Sequence, residues 1–348
     1  MAALHPRLPL SQIACVAANP RKIAHERGIA AFSLTRARRF GILIGEPVSL
    51  FFAWRALRRA KTFVIAGTGV LDDQHVRPTE LPLDVLRWSL AARLARARVV
   101  LLSVGAGPID GTWSRRFLKL AVSLAHDVSY RDRKSMEFMR SIGRDVGKDR
   151  VLPDLALALD PPDAEMESAS LERPVAIGVL ARLNWPGRDR EYDRYENGLV
   201  ELIERLAADG RRIVVVTGDE ADVDTQQAIM LRTNGLSASV MAKECHSFDD
   251  VLEAASQCDA MVASRYHNIV AAVVAGIPVV SLGYGPKNEA LLEQLETPQW
   301  SHDIDSFSVD DVHEDVLEAM TLPTPLFREA LAAYRESLDV EFERLIDG

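Results

Sequence analysis

Short apolar segments alternate with amphipathic helical segments along almost the whole chain, and no other feature constrains the fold as strongly. The segments "RVVLLSVG" (98–105), "RIVVVTG" (212–218) and "PVVSLG" (278–283) are apolar at nearly every position instead of every second one. Strands with this pattern are buried on both faces, as in parallel sheets that carry helices on either side. The sequence therefore predicts an α/β protein built from βαβ units, with doubly wound parallel sheets.

The length of 348 residues fits two domains of ordinary size better than one. The segment "LDPPDAEMESASLERP" is rich in Pro, Ser and Glu and lacks apolar periodicity, which is typical of a linker. We expect the two domains to enclose a cleft. The predicted organisation is a first Rossmann-like domain over 1–158, a linker over 159–174, a second Rossmann-like domain over 175–322 and a C-terminal helix over 323–348.

The net charge of −9 conceals an asymmetry between the two halves of the chain. Up to Arg150 there are 26 Lys and Arg against 12 Asp and Glu, and the remainder holds 15 against 38. The acidic second half argues against nucleic acid as a partner. The basic first half suits an anionic membrane or a phosphorylated substrate, although a solvated surface that attracts the acidic domain explains it equally well.

The sequence predicts a cytoplasmic protein. Its most apolar stretch, "GILIGEPVSLFFAW", is interrupted by Glu46 and Pro47 and is shorter than the ~20 residues of a membrane span. The N-terminus lacks the basic start and apolar region of a secretory signal. The three cysteines, Cys15, Cys245 and Cys258, match neither a metal site nor a disulfide framework, so we expect free thiols.

Polar clusters follow two consecutive apolar segments in the second half, "SRYHN" (264–268) and "GYGPK" (283–287). The carboxyl ends of parallel strands meet at one edge of a sheet, where ligands bind and where helix N-termini point their N–H groups. We expect Arg265, His267, Tyr284 and Lys287 to converge there on a small polyanion. The alternative is that Arg265 pairs with a carboxylate on a neighbouring loop and His267 is an ordinary helix-start residue.

The first half has similar but less specific clusters. "AGTGVLDD" (66–73) follows a strand and contains Gly67, Gly69 and Asp73, and a G-x-G pair of this kind also occurs in many turns. "SVGAGP" (103–108) ends the next strand. Arg131 follows a further strand, beside Asp132 and Ser135, and the alternative there is that Asp132 caps a helix and pairs with Arg131.

Taken together, these clusters resemble the polysaccharide pyruvyl transferase family. "SRYHN…AGIPVVSLGYGPK" is similar to the R-x-H helix start, G-x-P turn and Tyr…Lys loop of that family, with the same spacing of 20 residues between His267 and Lys287. "VIAGTGVLDD", "SVGAGP", "VSYRDRKSMEFMRSIG" and "LPDLALAL" resemble the preceding segments. The resemblance extends from about Phe63 to Leu295.

The resemblance implies two Rossmann-like domains in a GT-B arrangement, with an acceptor side in the first and a donor side in the second. Family members transfer pyruvate from phosphoenolpyruvate onto sugar hydroxyls of a cell-surface polysaccharide or its lipid-linked precursor, usually as a cyclic ketal. No cofactor or metal is implied beyond phosphoenolpyruvate as donor substrate. The implied catalytic residues are His267 and Arg265, and the implied substrate-binding residues are Arg131, Lys287, Tyr284, Gly67, Gly69 and Asp73.

The chain departs from the family pattern at two places. Ala66 and Thr68 stand where the family often has glycine, which restricts the approach of the backbone to a ligand. Family members open with a strand and a G-N-x-G-D-type loop, whereas "MAALHPRLPLSQIACVAANP" is similar to their second strand. We therefore expect the first domain to lack its first strand, either through a misplaced start codon or through loss of that part.

Two other functions remain open at this point: a GT-B glycosyltransferase or sugar-nucleotide epimerase, and a degenerate paralogue that binds without catalysis. A further hypothesis concerns two basic clusters that flank the most apolar part of the first domain. They suit peripheral docking on anionic lipid, although an amphipathic helix with its arginines in solvent explains them as well. The two clusters are Arg36, Arg38 and Arg39, and Arg55, Arg58 and Arg59.

Overall fold

The computed structural model describes residues 8–34, 41–67, 69–73, 76–160, 173–321 and 325–347. The first basic cluster, at 36–39, and most of the predicted linker, at 161–172, lie outside the described residues. The chain divides into two compact units. Unit 1 consists of Met1–Ala158 and Glu336–Gly348, and unit 2 of Leu159–Arg335.

Unit 1 alternates strands and helices, as the apolar pattern predicts. Its strands are β1 (Ala14–Ala17), β2 (Ala30–Ser33), β3 (Thr62–Ala66), β4 (Arg98–Val104), β5 (Asp127–Tyr130) and β6 (Arg150–Val151). Its helices are α1 (Pro20–Arg27), α2 (Gly41–Leu57), α3 (Leu81–Leu94), α4 (Thr112–Ser123) and α5 (Arg133–Ser141). Within the described residues the strands form two parallel sheets, β1-β2 and β3-β4-β5-β6.

The position of β4 inside its sheet explains why its sequence is apolar at nearly every position. Val99 and Leu101 belong to the main core of unit 1, which they share with residues of α3 and α4. Val100 and Leu102 point to the opposite face and pack against Leu338 and Phe342. A strand whose alternate residues enter two different cores needs an apolar side chain at every position.

Unit 2 contains a larger sheet. Its strands are β7 (Val175–Gly178), β8 (Ile213–Val216), β9 (Val240–Lys243), β10 (Ala260–Ala263), β11 (Val279–Gly283) and β12 (Ser301–Asp303). Its helices are α6 (Asp189–Ala208), α7 (Val223–Arg232), α8 (Phe248–Ser256), α9 (Tyr266–Ala275), α10 (Pro286–Gln294) and α11 (Val309–Thr321). The last helix, α12 (Pro325–Asp347), begins in unit 2 and ends in unit 1.

The sheet of unit 2 has the strand order β12-β11-β10-β7-β8-β9, and its described pairs are parallel. The chain runs outward from β7 in one direction and then returns to continue from β10 in the other. This is the doubly wound Rossmann order, and the point of reversal lies between β7 and β10. The predicted α/β class with parallel sheets is confirmed.

The apolar segment that begins at Gly41 forms helix α2, which continues through Pro47. Among the described residues, no helix combines the length and the apolar character that crossing a bilayer requires.

Candidate functional site

Two helices of unit 2 begin side by side at the carboxyl edge of the sheet. Strands β10 and β11 pair in parallel, with Ala263 opposite Ser281, and each is followed within three residues by a helix. The N-cap positions, Arg265 for α9 and Gly285 for α10, make no side-chain capping hydrogen bond. The positive ends of two helix dipoles therefore face the same edge.

The start of α9 also lies at the reversal point of the sheet. Gly178, the last residue of β7, is opposite Ala263, the last residue of β10. In doubly wound sheets, ligands bind in the crevice where two neighbouring strands lead to helices on opposite faces. The cluster at 264–268 therefore occupies the position at which this fold binds ligands.

Arg265 pairs with Asp222, a carboxylate on a neighbouring loop, as the alternative interpretation of the sequence predicted. Its Nη2 lies 2.6 Å from Oδ1 of Asp222, and its Nε donates to Oδ2 of the same side chain. Burial alone would lower the pKa of Arg265, but the hydrogen bonds and charge of Asp222 outweigh it and raise the pKa. The fork of Arg265 is thus fixed in place and permanently charged.

Asp222 connects three loops at this edge. Its Oδ1 also accepts the N–H of Ala181 at 2.8 Å, and its Oδ2 accepts the N–H of Gly218 at 3.0 Å. These residues follow β7 and β8, while Arg265 follows β10. The fully buried carboxylate therefore sets the relative position of the strand ends on both sides of the reversal point.

Lys287 extends from α10 toward the start of α9. Its Nζ lies 4.8 Å from the ring centroid of Tyr284 and 5.9 Å from that of Tyr266, distances at which a cation is attracted to an aromatic face. The ring of Tyr266 lies 6.2 Å from that of His267 at an interplanar angle of 73°. His267 and Tyr284 are exposed. Residues from both helix starts thus come together at one edge of unit 2.

In unit 1, Arg131 lies between two carboxylates. Its Nε is 3.4 Å from Asp132 and its Nη1 is 4.0 Å from Asp154. Asp132 caps α5 by accepting the N–H of Ser135 at 2.6 Å. A Cβ at Gly105 would lie 2.7 Å from Cζ of Arg131, so the guanidinium packs directly on the loop after β4. The structure contains the helix cap and ion pair that the sequence left as the alternative.

The glycine loop after β3 approaches a different part of unit 1. Gly67 has a φ of +46°, in the left-handed region that favours glycine, and a Cβ there would lie 3.0 Å from Leu155. At Gly69 the nearest atom to a Cβ would be Oδ2 of Asp72 at 3.4 Å. Thr68 lies outside the described residues. Gly67 therefore serves a close packing contact as well as the turn.

Asp73 holds the loop that precedes α4. Its oxygens accept the N–H groups of Asp110 and Gly111 at 2.9 and 2.8 Å. Burial raises the pKa of Asp73, but these two hydrogen bonds, together with Ser114 and Arg115, outweigh it and lower the pKa. The structure gives this side chain two backbone partners within unit 1.

Sequence reasoning missed Asp222 and the asparagines that end each polar cluster. Asp222 lies in the acidic segment 219–224, and no local signal distinguishes it from its neighbours. Asn268 and Asn288 do carry a signal, because each directly follows one of the predicted cationic residues, His267 and Lys287.

The fold and these clusters are those of a Rossmann-like α/β protein that binds ligands at the carboxyl edge of its parallel sheet. The model of the polysaccharide pyruvyl transferase family matches residues 31–286. The chain therefore belongs to that family, as the sequence motifs indicated. Comparison with curated proteins finds no match.

Solved structures with a similar fold are GT-B enzymes. UDP-GlcNAc 2-epimerase from Neisseria meningitidis bound to UDP-GlcNAc aligns over 100% of this chain and 96% of its own, with a TM-score of 0.64 and 12% identity. MurG from Acinetobacter baumannii aligns over 100% and 94%, with a TM-score of 0.55 and 12% identity. S. aureus MnaA with UDP aligns over 91% and 90%, with a TM-score of 0.55 and 12% identity. The likeness confirms the predicted GT-B-like fold.

Proposed function

We propose that this protein transfers pyruvate from phosphoenolpyruvate onto hydroxyl groups of a sugar, in a cell-surface polysaccharide or its precursor. The observation that carries the proposal is the pair of helix starts in unit 2. They bring His267 and Lys287 to the edge where Arg265 is fixed, in a chain that belongs to the pyruvyl transferase family. Phosphoenolpyruvate has a phosphate and a carboxylate, and two positive helix ends with added cations suit both groups.

The chemistry assigned to these residues is addition followed by displacement. His267 donates a proton to the terminal enol carbon, and the adjacent carbon gains oxocarbenium character. One sugar hydroxyl attacks that carbon and returns its proton to the imidazole of His267. The phosphate then leaves with its bonding electrons, and a second hydroxyl attacks the same carbon and gives its proton to the departing phosphate. The products are the cyclic ketal and inorganic phosphate. Lys287 and the first-turn N–H groups stabilise the phosphate as it departs.

In this proposal Arg265 acts as a fixed positive charge and not as a side chain that moves onto the substrate. Because Asp222 binds its Nε and Nη2, the guanidinium is preorganised and contributes positive charge without changing position. In unit 1, Arg131 is proposed to bind substrate, and Gly67 and Gly69 to shape the acceptor loop. Asp73 is proposed to take part in substrate binding at the end of the same loop, which it ties to the N–H groups of Asp110 and Gly111.

The test is a calorimetric titration of phosphoenolpyruvate into the full chain, together with His267→Ala and Lys287→Ala. We expect binding to the wild type and a loss of at least tenfold in affinity in each variant. His246→Ala and Lys243→Ala are matched controls, because Lys243 ends the edge strand β9 and His246 follows it, three strands away from β10 in the sheet. Equal loss in the controls, or unchanged binding in both test variants, would contradict the assignment.

A second titration separates this function from its alternatives. Two of the similar solved structures contain UDP or UDP-GlcNAc, so preferential binding of a UDP-sugar over phosphoenolpyruvate would favour a glycosyltransferase or epimerase. Binding of phosphoenolpyruvate without release of phosphate in the presence of any diol sugar would favour a non-catalytic paralogue.

We further propose that unit 1 docks peripherally on the anionic cytoplasmic face of a membrane, where lipid-linked acceptors lie. Helix α2 exposes Phe51, Phe52 and Trp54, with exposed fractions of 54%, 36% and 36%. The exposed arginines Arg55, Arg58 and Arg59 follow directly. Aromatic rings beside cationic side chains suit the interface of an anionic bilayer.

Vesicle flotation at low salt tests the membrane proposal. We expect the protein to float with vesicles that contain anionic lipid and not with neutral ones, and the variant Phe51→Ser/Trp54→Ser to remain in solution. Trp113→Ser, which removes a more exposed tryptophan from helix α4 (58% exposed), is the control. Equal partition of the wild type into both vesicle types would overturn the idea.

A further inference from the structure

Helices α9 and α10 begin with the same arrangement of side chains. In α9 the first three residues are Tyr266, His267 and Asn268, and in α10 they are Pro286, Lys287 and Asn288. Each helix therefore has a basic residue at its second position and an asparagine at its third. The spacing of 20 residues between His267 and Lys287 is one full strand–helix unit, so the arrangement recurs on the neighbouring strand.

Both asparagines are fully buried, with exposed fractions of 0%. Neither amide nitrogen nor amide oxygen of either side chain has a hydrogen-bond partner among the described residues. A buried polar group without a partner costs about 1–3 kcal/mol. Native proteins retain few such groups, and those that persist often belong to a binding or catalytic site.

The amide of Asn268 lies on the strand ends beside the reversal point. A Cβ added at Gly178 would be 2.5 Å from its Nδ2, and a Cβ at Gly218 would be 2.5 Å from its Oδ1. Any side chain at these two positions would displace the amide. Glycine at the ends of β7 and β8 therefore makes room for a polar group that nothing in the described chain binds.

The amide of Asn288 lies over the end of β11. A Cβ at Gly283 would be 3.6 Å from its Nδ2 and 3.4 Å from the Oγ of Ser281. That hydroxyl is also buried and has no partner among the described residues. At this helix start, an amide and a hydroxyl without partners thus lie close to the same point.

We propose that Asn268 and Asn288 are ligand-binding residues of two adjacent anion subsites, one at each helix start. Each subsite combines a helix N-terminus, a basic side chain and an asparagine amide that donates from Nδ2 to an anionic oxygen. Neighbouring strands are about 4.8 Å apart, so the pair suits a small molecule with two anionic groups at that separation. Because both amides are covered in this structure, binding requires the helix starts to open slightly.

This inference rests on the proposed function for the identity of the ligand, whose phosphate and carboxylate would occupy one subsite each. It adds a statement about residues: the amides contribute to ligand binding and not to the stability of the unliganded protein. An asparagine with a purely structural role would stabilise the unliganded protein and would not affect ligand binding. Replacement by leucine, which has a similar volume and no polar atoms, separates the two roles.

The experiment compares Asn268→Leu and Asn288→Leu with the wild type by calorimetric titration of phosphoenolpyruvate and by thermal unfolding. We expect each variant to bind at least tenfold more weakly while its Tm is unchanged or higher. Gln226→Leu is the matched control, because Gln226 is also buried but donates to the carbonyl oxygens of Val215 and Lys243. It should lower Tm and leave the affinity unchanged. Asn268→Ala and Asn288→Ala replace any leucine variant that fails to fold.

The outcomes distinguish this inference from the proposed function. Wild-type affinity in both asparagine variants, or a fall in Tm as large as in Gln226→Leu without loss of affinity, would overturn the inference and leave the function standing. If the wild type does not bind phosphoenolpyruvate, the function fails, and the titration is repeated with inorganic pyrophosphate and UDP. Weaker binding of either probe by the asparagine variants would then support the paired subsites, and no binding of either probe by the wild type would overturn them.

Discussion

Asp222 determines the geometry of the candidate site more directly than any residue that the sequence indicated. It is fully buried, and its two oxygens accept four hydrogen bonds, two from Arg265 and one each from Ala181 and Gly218. Burying a carboxylate is costly unless its charge is paired and its lone pairs are occupied. The ion pair therefore fixes the guanidinium of Arg265 at the carboxyl edge of the sheet, and it requires that the carboxylate of Asp222 be fully buried.

Removal of this carboxylate is expected to be severe. In Asp222→Ala, the partly buried Arg265 loses its ion-pair partner and the N–H groups of Ala181 and Gly218 lose their acceptor, and we expect a loss of about 3–5 kcal/mol in the free energy of unfolding. The control is Asp219→Ala, since Asp219 is exposed and its side chain accepts the N–H of Ala221 without touching the other two strand ends that Asp222 connects. The control should lose about 1 kcal/mol. Urea unfolding measures both, and equal losses would show that Arg265 is stable without its partner.

The lowered pKa of Asp73 gives a prediction about pH. A carboxyl group whose pKa is lower in the folded state stabilises the protein above its unfolded pKa of about 3.9, and this stabilisation is lost as pH falls through the lower folded pKa. We expect Asp73→Ala to cost about 1–2 kcal/mol at pH 7, as for loss of a helix cap. The difference from the wild type should shrink only below about pH 4.

Urea unfolding at several pH values checks this, with Asp110→Ala as control because the side chain of Asp110 is exposed. A difference between Asp73→Ala and the wild type that persists undiminished at the lowest pH would mean that charge plays no part in the loop contact.

At the residue scale, the sequence identifies side chains that follow strands but not their distant partners. Arg265 and Lys287 could be placed at one edge because the positions of strand ends follow from the apolar pattern. Asp222 could not be found, because it is 43 residues from Arg265 and lies among other acidic residues. The same limit applies to Asp73, whose backbone partners lie 37 and 38 residues further along.

At the scale of elements, the sequence predicts strands and helices well and their sheet partners less well. The apolar segments correspond to β4, β8 and β11, because strands buried on both faces are distinctive in composition. The division of unit 1 into a two-stranded and a four-stranded sheet was not foreseen. Which strands pair depends on packing between distant segments, and no local pattern encodes it.

The contact between the end of β7 and the first turn of α9 can be tested by paired substitutions. Gly178→Ala places a Cβ 2.5 Å from Nδ2 of Asn268, and we expect a loss of about 1–3 kcal/mol through overpacking. Asn268→Ala removes that atom, so the double variant should recover most of the loss. Chemical unfolding of the two single variants and the double variant measures the coupling. Additive losses would show that the glycine is required for another reason.

At the scale of the whole molecule, the path of the chain departs from a simple succession of domains. The C-terminal helix was predicted as a separate segment over 323–348, and the structure assigns its first part to unit 2 and its last part, from Glu336, to unit 1. There Glu341, which is almost fully buried, forms a bidentate ion pair with Arg150. The end of the helix belongs to unit 1 because it packs on Val100 and Leu102, which lie on the face of β4 opposite the main core.

Phe342 provides the test of that cover. It is 2% exposed and packs with Val100 and Leu102, so we expect Phe342→Ala to destabilise unit 1 by about 3–5 kcal/mol. Val340→Ala on the same helix is the control, because Val340 is 63% exposed. Hydrogen exchange of the β4 amides measures the effect locally. Unchanged protection in Phe342→Ala would mean that the helix end contributes little to the core of unit 1.

The return of the last helix to unit 1 has a consequence for synthesis on the ribosome. Chains are made at about 5–20 residues per second, and Leu338 follows Val100 by 238 residues. At that rate, roughly 12–48 s pass between the synthesis of Val100 and that of Leu338, the residue that packs on it. During this interval unit 2 is completed first, although its sequence comes later. The nascent first unit exposes apolar strand surface for all of that time, and such surface is prone to aggregation until the last helix has been made.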